Sequence, residues 1–474
     1  MSATLSLTVV GFGIAALIFL VLKVRIPAFL TLMLVCIGVG LALGAEPLSV
    51  VKSIRDGMAS TLGFVAVVLG LGAMFGALLE AAGGIQAIAN TMLKRFGEKN
   101  APWAVWAAAF IIGVPLFFDV GFIILAPILL SLSQRSGRSI LYFGVPLLAA
   151  LAATHGFVPP HPGPVAVSDL LHVDLGLVTF YGLICALPAS ILAGPIYGMW
   201  RYGNQFATPP ATEGSGAEIL ADADREMGEA SKAPLALMPG DAAGDADPAL
   251  PRPVTFGASV FALLLPIALI FSATAAETWL SEGALRSTLQ FLGHPFVALV
   301  IACLYVWVFF GVLRKTPRDT LAHIMNRSLE PAGAMAIVTG AGGSLKQVLV
   351  DTGAGDQLAQ SVAAAGFTPL VFGFCVAALT RIAQGSATVA MITAGGLVAP
   401  LVTVSNYNST LTALTVVSIG SGAIVASHVN DAGFWLVNRY LGLSEAETLR
   451  SWTVVSTIVG VTGFIATLTL ARIL

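Results

Sequence analysis

The sequence predicts an all-α polytopic membrane protein. It reads as an inverted-topology repeat with about ten full transmembrane helices and two re-entrant helical hairpins. Three observations lead there. Of 474 residues, 57% are hydrophobic and 10% charged, and the mean hydropathy is +0.90; a soluble domain carries roughly a quarter charged residues. Two apolar stretches have a length that suits neither one span nor two. The two halves of the chain carry the same features in the same order.

A span takes about 20 apolar residues, range roughly 17–25. Candidate spans are 5–22, 26–44, 60–82, 139–156, 175–200, 254–274, 288–313, 329–350, 409–428 and 452–471. The opening "MSATLSLTVV" has no positive charge before its apolar run, so 5–22 reads as a retained span rather than a cleaved signal peptide. Cys36, Cys185, Cys303 and Cys375 each sit alone in apolar sequence. No spacing suits zinc, a redox pair or a disulfide framework, so they read as packing residues. A net charge of -2 carries no nucleic-acid signal.

The stretch 103–132 holds Gly113, Pro115, Asp119 and Gly121 in its middle, and the stretch 367–402 holds "RIAQGSA". Each reads as two short helices meeting at a polar, glycine-containing tip. Basic residues favour the cytoplasmic side. With an external N-terminus, the re-entrant reading of 103–132 places Lys23, Arg25, Lys94, Arg95, Lys99, Arg135, Arg138 and Arg201 inside. Arg314, Lys315, Arg318, Arg439 and Arg450 follow inside in the second half. The exceptions are Lys52, Arg55, Arg286 and Arg472. Reading 103–132 as one full span would put Arg135 and Arg138 outside. Both termini then lie on the periplasmic side.

Residues 203–253 are rich in Ala, Gly, Pro and acid, and read as a mostly disordered cytoplasmic linker with room for a short helix at 216–231. The linker divides the chain into a first membrane repeat, 1–202, and a second, 254–474. "GLGAMFGALLEAAGGIQAIA" (70–89) aligns with "GAGGSLKQVLVDTGAGDQLA" (340–359). Each is followed by a hairpin, then by a span ending in a hydroxyl residue and a histidine: Thr154-His155 and Ser427-His428. The first half starts outside and the second inside, a plan common among secondary transporters.

Broken helices survive in lipid only when buried in protein or lining a cavity. Their ends offer N–H groups to anions and C=O groups to cations. Two hairpins entering from opposite faces bring Asp119 toward Arg381, Gln384, Gly385, Ser386 and Thr388. An intramembrane acid is costly and marks function by default, so Asp119 is a proton-carrying candidate; a structural ion pair, for instance with Arg381, is the alternative. Arg381 suits a substrate carboxylate through its bidentate fork, or that same pair. Gly385, Ser386 and Thr388 offer hydroxyls and N–H groups at a helix start, although small residues also serve helix packing. Lys346 is placed to meet an anion or to snorkel from a span end. His155 and His428 titrate near neutral pH and are placed to relay a proton. Asn430 and Asp431 follow as polar groups at the second break, or as the cap of the next helix. Glu80, His172, His294 and His323 are given no role.

These blocks carry a resemblance. "FFDVGF", "GVPLLAALAATHGFVPPHPGPVAV", "GAGGSLKQVLVDTGAGD", "RIAQGSATVAMITAGG" and "GSGAIVASHVNDAGFWLVNRY" resemble the gluconate permease family, the gluconate:proton symporters, over nearly the whole chain outside the linker. The resemblance implies a bacterial inner-membrane carrier with a small carboxylate substrate and the proton as coupling ion, without a further cofactor. It also implies an elevator-type mechanism and a homodimer. The family includes carriers of gluconate, related sugar acids, glycerate and D-serine. Phe118-Asp119 stands where a tyrosine and a glutamate are as common, which keeps the acid but shortens it by one methylene. On this reading Thr154, His155, Gly385, Ser386, Thr388, Asn430, Arg381 and Lys346 would bind substrate, and Asp119, His428 and Asp431 would handle the proton. A small amino-acid carrier is the alternative, with Asp119 or Asp431 meeting its ammonium. A channel is a further one, since glycine-rich tips also occur in pores. No Ser/His/Asp constellation and no H-E-x-x-H spacing points to an enzyme.

Overall fold

The computed structural model describes residues 3–20, 24, 26–97, 100–205 and 254–474, and among them there is no strand, only helices and their connections. The readings of Lys23, Arg25, Lys99 and the linker with its 216–231 helix fall on positions outside the described residues, apart from 203–205. In the first half the helices are α1 (Ala3–Phe19), α2 (Ala28–Ala42), α3 (Pro47–Ala81), α4 (Gly84–Phe96), α5 (Ala101–Gly113), α6 (Phe118–Ser136), α7 (Ile140–Phe157), α8 (Pro162–Leu170) and α9 (Leu175–Ile191). A π-helical turn, Leu192–Ile196, carries α9 on into α10 (Tyr197–Tyr202). The second half holds α11 (Phe256–Trp279), α12 (Ala284–Gly293), α13 (Pro295–Val306), α14 (Arg318–Asp351), α15 (Ala354–Ala364), α16 (Pro369–Gln384), α17 (Ala387–Val404), α18 (Ser409–Ile424) and α19 (Ala432–Tyr440). Its last element, α20 (Glu445–Thr448), runs through a π turn, Leu449–Thr453, into α21 (Val454–Ile473).

The same order of lengths occurs twice. A helix of 35 residues (α3) or 34 (α14) is followed by a short amphipathic helix, a helix pair with a tight tip, and a span that breaks before a helix of nine residues (α8, α19). Gly83 and Gly353, at φ +75° and +69°, reverse the chain after the two long helices, a conformation that costs any residue with a Cβ.

Eight helical segments among the described residues are long and apolar enough to cross a membrane, and two of them are α6 and α17, the second arms of the predicted hairpins. The first arm α5 has 13 residues, about 20 Å against a hydrocarbon core of roughly 30 Å. The first hairpin therefore has unequal arms, of 13 and 19 residues, while those of the second have 16 and 18; the tips are short, at 114–117 and 385–386.

Several sequence boundaries are corrected. The 60–82 and 329–350 segments are the apolar parts of α3 and α14, which start earlier, at Pro47 and Arg318. Packing extends them beyond their apolar pattern. The two helices touch backbone to backbone, for a Cβ on Gly57 would stand 2.4 Å from Gly343 O, and Ser344 Oγ donates to Ile54 O at 2.8 Å. The 288–313 segment is two elements. His294 caps α13 by accepting from Phe296 N at 3.3 Å, and Gly293 packs so tightly on Leu269 O that α12 forms a separate corner. The first break lies later than the Thr154-His155 pair. α7 continues to Phe157 and stops at Val158–His161, because Pro159 and Pro160 have no N–H to donate.

At the centre, α7 is buried from Leu141 to Thr154 and α18 from Thr412 to Ile424. They cross at Gly156 and Gly420: a Cβ on Gly420 would lie 2.1 Å from Gly156 O, and one on Gly156 would lie 2.5 Å from Ile424 Cγ1. The facing atom at Gly420 is backbone and cannot turn aside. Gly420→Ala is therefore expected to cost about 1–3 kcal/mol and to lower the melting temperature in detergent. Gly38→Ala, where a Cβ meets nothing within 4 Å, is expected to leave it unchanged. Equal melting of the two variants would contradict this packing.

Candidate functional site

The tips and the breaks meet in pairs. α16 ends at Gly385, whose φ of +85° closes the helix in the left-handed conformation, and Ser386 caps α17 by accepting from Val389 N at 3.4 Å. Gly385 rests directly on the second break, where a Cβ would stand 2.1 Å from Asn430 O. Asn430 Nδ2 returns a hydrogen bond to Ile382 O at 2.9 Å. Hairpin 2 is thus fastened to the second break by backbone contact and an amide bond that uses a free helix-end carbonyl. Hairpin 1 is fastened to the first break by a histidine: His161 Nε2 lies 2.7 Å from Gly113 O, at the end of α5.

Between these contacts lie the charges. Arg381 is buried, donating from Nη1 to Gly385 O and from Nη2 to the Asp431 carboxylate, while its Nε is buried without a partner. Asp431 also caps α19 by accepting from Gly433 N at 3.0 Å, and it accepts from Ser427 Oγ. Ser427 Oγ in turn accepts from Trp452 Nε1 at 2.6 Å. The alternative to a functional role paired Arg381 with Asp119; the observed partner of Arg381 is Asp431, which is buried with it. Asp119 sits in the first turn of α6, where the helix dipole favours a negative charge. It is exposed and makes no hydrogen bond or ion pair among the described residues. Its electrostatic neighbour is Asp431. Phe118 bridges the elements, its ring 5.1 Å from Trp452 and 6.5 Å from His155, and His155 is within electrostatic reach of Arg381.

Of the residues singled out from sequence, the fold gathers Asp119, His155, Arg381, Gly385, Ser386, Thr388, Asn430 and Asp431 around the tips. Thr388, in the first turn of α17, is half-buried, and its hydroxyl has no partner among the described residues. His428 is half-buried in the second break, with Nδ1 2.9 Å from Ala426 O. Thr154 is fully buried; its hydroxyl donates to Ala150 O and Leu151 O at 3.0 and 3.1 Å and packs against Gly113. It braces α5 against α7 and turns no free hydroxyl to the tips. Lys346 lies elsewhere. Its Nζ donates to Leu170 O at 2.7 Å and to His172 Nε2 at 3.0 Å. That is the far end of α8, about 13 Å from its start. Burial and the Lys346 charge hold His172, in the following loop, below the usual histidine range. Sequence reasoning gave no site role to His161, Ser427 or Trp452. A histidine inside a proline-rich break was the available signal for the first; a lone tryptophan offered none.

The arrangement suits a small anion. The first N–H groups of α17 have no intrahelical partner, and the half-buried Thr388 hydroxyl and the Arg381 guanidinium lie beside them. A carboxylate there meets donors on several sides.

The sequence matches the model of the GntP family permeases over residues 4–237 and 242–474. The chain belongs to the GntP permease family. It is therefore a multi-pass membrane permease for a small molecule, not an enzyme. It is 38% identical to a gluconate permease of Bacillus licheniformis, covering 98% of this chain and 99% of that protein. It is 36% identical to the high-affinity gluconate transporter of Escherichia coli, covering 99% and 100%. The Gnt-II system L-idonate transporter of Escherichia coli is also 36% identical, covering 99% of each. Two solved structures share the fold. The YdaH transporter of Alcanivorax borkumensis superposes with a TM-score of 0.62 at 14% identity, covering 94% of this chain and 98% of that one. MtrF of Neisseria gonorrhoeae gives 0.60 at 11% identity, covering 95% and 96%.

Asp431→Asn keeps the helix cap, since asparagine caps as well as aspartate, but leaves Arg381 buried without a counter-charge. The expected loss is about 3–5 kcal/mol of stability, read as a lowered melting temperature of the detergent-solubilised permease. Arg381→Met with Asp431→Asn is expected to recover part of that loss. A double variant no more stable than Asp431→Asn would contradict the pair as described.

Proposed function

We propose that this permease imports gluconate or a closely related sugar acid across the bacterial inner membrane, driven by protons. The observation that carries the reading is the buried Arg381 beside the start of α17, whose first N–H groups have no intrahelical backbone partner and where Ser386 caps only Val389 N, a receptor for one carboxylate. Relatives named for gluconate and L-idonate fit that chemistry. Ser386, Thr388 and the α17 N–H groups would hold the carboxylate with Arg381, and His155 and Asn430 would meet the hydroxyls. Asp119, without an ion pair among the described residues, would carry the proton, with Asp431 as its electrostatic neighbour and His428 as a further relay.

The architecture is read as two repeats, 1–202 and 254–474, inserted with opposite orientation and joined by the cytoplasmic segment 203–253. The recurring helix order supports this. The short α5 supports re-entrant hairpins. Both termini are then periplasmic. Movement of the hairpins and broken helices as one body against the α3–α14 pair, within a homodimer, is the proposed elevator step. Asp119 also supports a second reading, since an unpaired carboxylate can hold an ammonium; a D-serine or other small amino-acid symporter then follows.

Uptake of labelled gluconate into proteoliposomes tests the proposal. An inward proton gradient is expected to drive accumulation above equilibrium, which a channel cannot do, and D-serine is expected not to compete. Asp119→Asn is expected to abolish gradient-driven accumulation. Uptake indifferent to the gradient would contradict proton coupling, and full accumulation by Asp119→Asn would remove that residue from the proton path.

A further inference from the structure

The first break contains a chain of three groups whose proton positions follow from their chemistry. Gly113 O can only accept, so His161 Nε2 carries the hydrogen in their 2.7 Å contact. With the ring neutral, His161 Nδ1 is then a lone pair. His155 Nδ1 lies 3.3 Å from it and must be the donor. His155 Nδ1 therefore carries its hydrogen, and its Nε2 is left as an acceptor. Among the described residues that Nε2 has no hydrogen-bond partner, and it is not fully buried, so its lone pair is accessible. His161 is 1% exposed and has both nitrogens spent, whereas His155 is partly open. The matched histidine of the second half has the same form by another route: His428 Nδ1, 2.9 Å from Ala426 O, must donate, which leaves its Nε2 an acceptor with no partner among the described residues.

We infer that His161 is a positioning residue that fixes His155 in the tautomer whose free Nε2 accepts a substrate hydroxyl, while it anchors the tip of hairpin 1 through Gly113. The inference rests on the sugar-acid reading above and extends it to recognition of the hydroxyl-bearing carbons. Each hydroxyl of a polyol acid is a donor, and the remainder of the site is rich in donors. Arg381, Ser386, Thr388 and the α17 N–H groups serve the carboxylate. A lone pair fixed in place supplies the complement that separates a hydroxylated acid from a plain alkanoate. The charged and titratable groups facing His155 are His161 from the first break and Arg381 from α16. Arg381 carries Asp431 as its partner, and Asp119 adjoins Phe118, whose ring faces His155.

Three variants test it. His161→Gln offers an amide N–H to Gly113 O and an amide oxygen to His155 Nδ1–H, so it keeps both bonds without an ionisable ring. His161→Leu removes both. His155→Asn keeps a donor toward His161 and removes the Nε2 acceptor. KM and kcat for gluconate uptake into proteoliposomes, across a pH series, are the readouts. His161→Leu and His155→Asn are expected to raise KM about 10-fold with a smaller change in kcat, and His161→Leu to shift the pH profile of KM. His161→Gln is expected to restore both to about the wild-type values. A His161→Gln as impaired as His161→Leu would overturn the inference, because the ionisable ring itself would then be required. An unchanged KM in His161→Leu or His155→Asn would also overturn it. Carbethoxylation of His155 by diethyl pyrocarbonate, followed by mass spectrometry, reads the lone pair with no substrate. It is expected to run at wild-type rate in His161→Gln and more slowly in His161→Leu, and equal rates in all three would overturn the assignment. Should His161→Leu fail to fold, His155→Asn and His161→Gln decide alone. Wild-type protein that takes up no gluconate would defeat the substrate reading and leave the modification experiment to judge His161.

Discussion

The close crossing of α7 and α18 at Gly156 and Gly420 sets the terms for the centre of this permease. Two backbones without side chains between them bring the ends of two buried helices to one place. Each helix then stops within a turn or so of the crossing, at Val158–His161 and at Val425–Asp431. Freed backbone groups in lipid must find partners in protein, and the side chains of the two breaks supply them to the hairpin arms. His161 takes the carbonyl of Gly113, and Asn430 takes that of Ile382. The crossing thus fixes where the tips must lie, and the tips fix where charge can be tolerated. Gly182 and Gly463 extend the same logic around Phe157, with room for its carbonyl and its ring but none for a Cβ.

Within that frame the charges are unequal. Arg381 is the buried cation of the site, and Asp431 and Asp119 are its acids. Burying an ion pair repays little by itself, because desolvation offsets the attraction. Here the pair is supported by Ser427, Trp452 and the N-terminus of α19, which together hold Asp431 in place. Arg381 still has an unpaired Nε, and Asp119 has no hydrogen bond or ion pair among the described residues. A site with a spare donor edge and a spare carboxylate has capacity for an anion and a proton together.

Much of this was legible in the sequence because lipid makes strong demands. Polar tips inside apolar stretches of awkward length had few explanations, and the stretches 103–132 and 367–402 fall close to the observed arms. The family followed from the blocks at the tips and breaks. Less legible was whatever depends on partners distant in sequence. The one pairing read for Arg381 was with Asp119, whereas the structure pairs it with Asp431, fifty residues away across the second break. Lys346 follows a glycine-rich run as a ligand might, yet its ammonium goes to the carbonyl end of α8. The long extensions of α3 and α14 rest on the Gly57–Gly343 contact, which hydropathy does not register. Thr154 and His155 drew attention as polar residues, but prolines, lacking an N–H, decide where the helix stops, and that shifts the break to His161.

The central claim is that the carboxylate of the substrate binds at the start of α17 beside Arg381. The most direct measurement is an experimental structure of the permease with gluconate bound. The account predicts carboxylate oxygens within hydrogen-bond distance of Arg381 and the Ser386–Thr388 turn, with the hydroxyls toward His155 and Asn430. A sugar acid seated at the Lys346 end of α8, or in the apolar crevice beside Pro159 and Pro160, would contradict it.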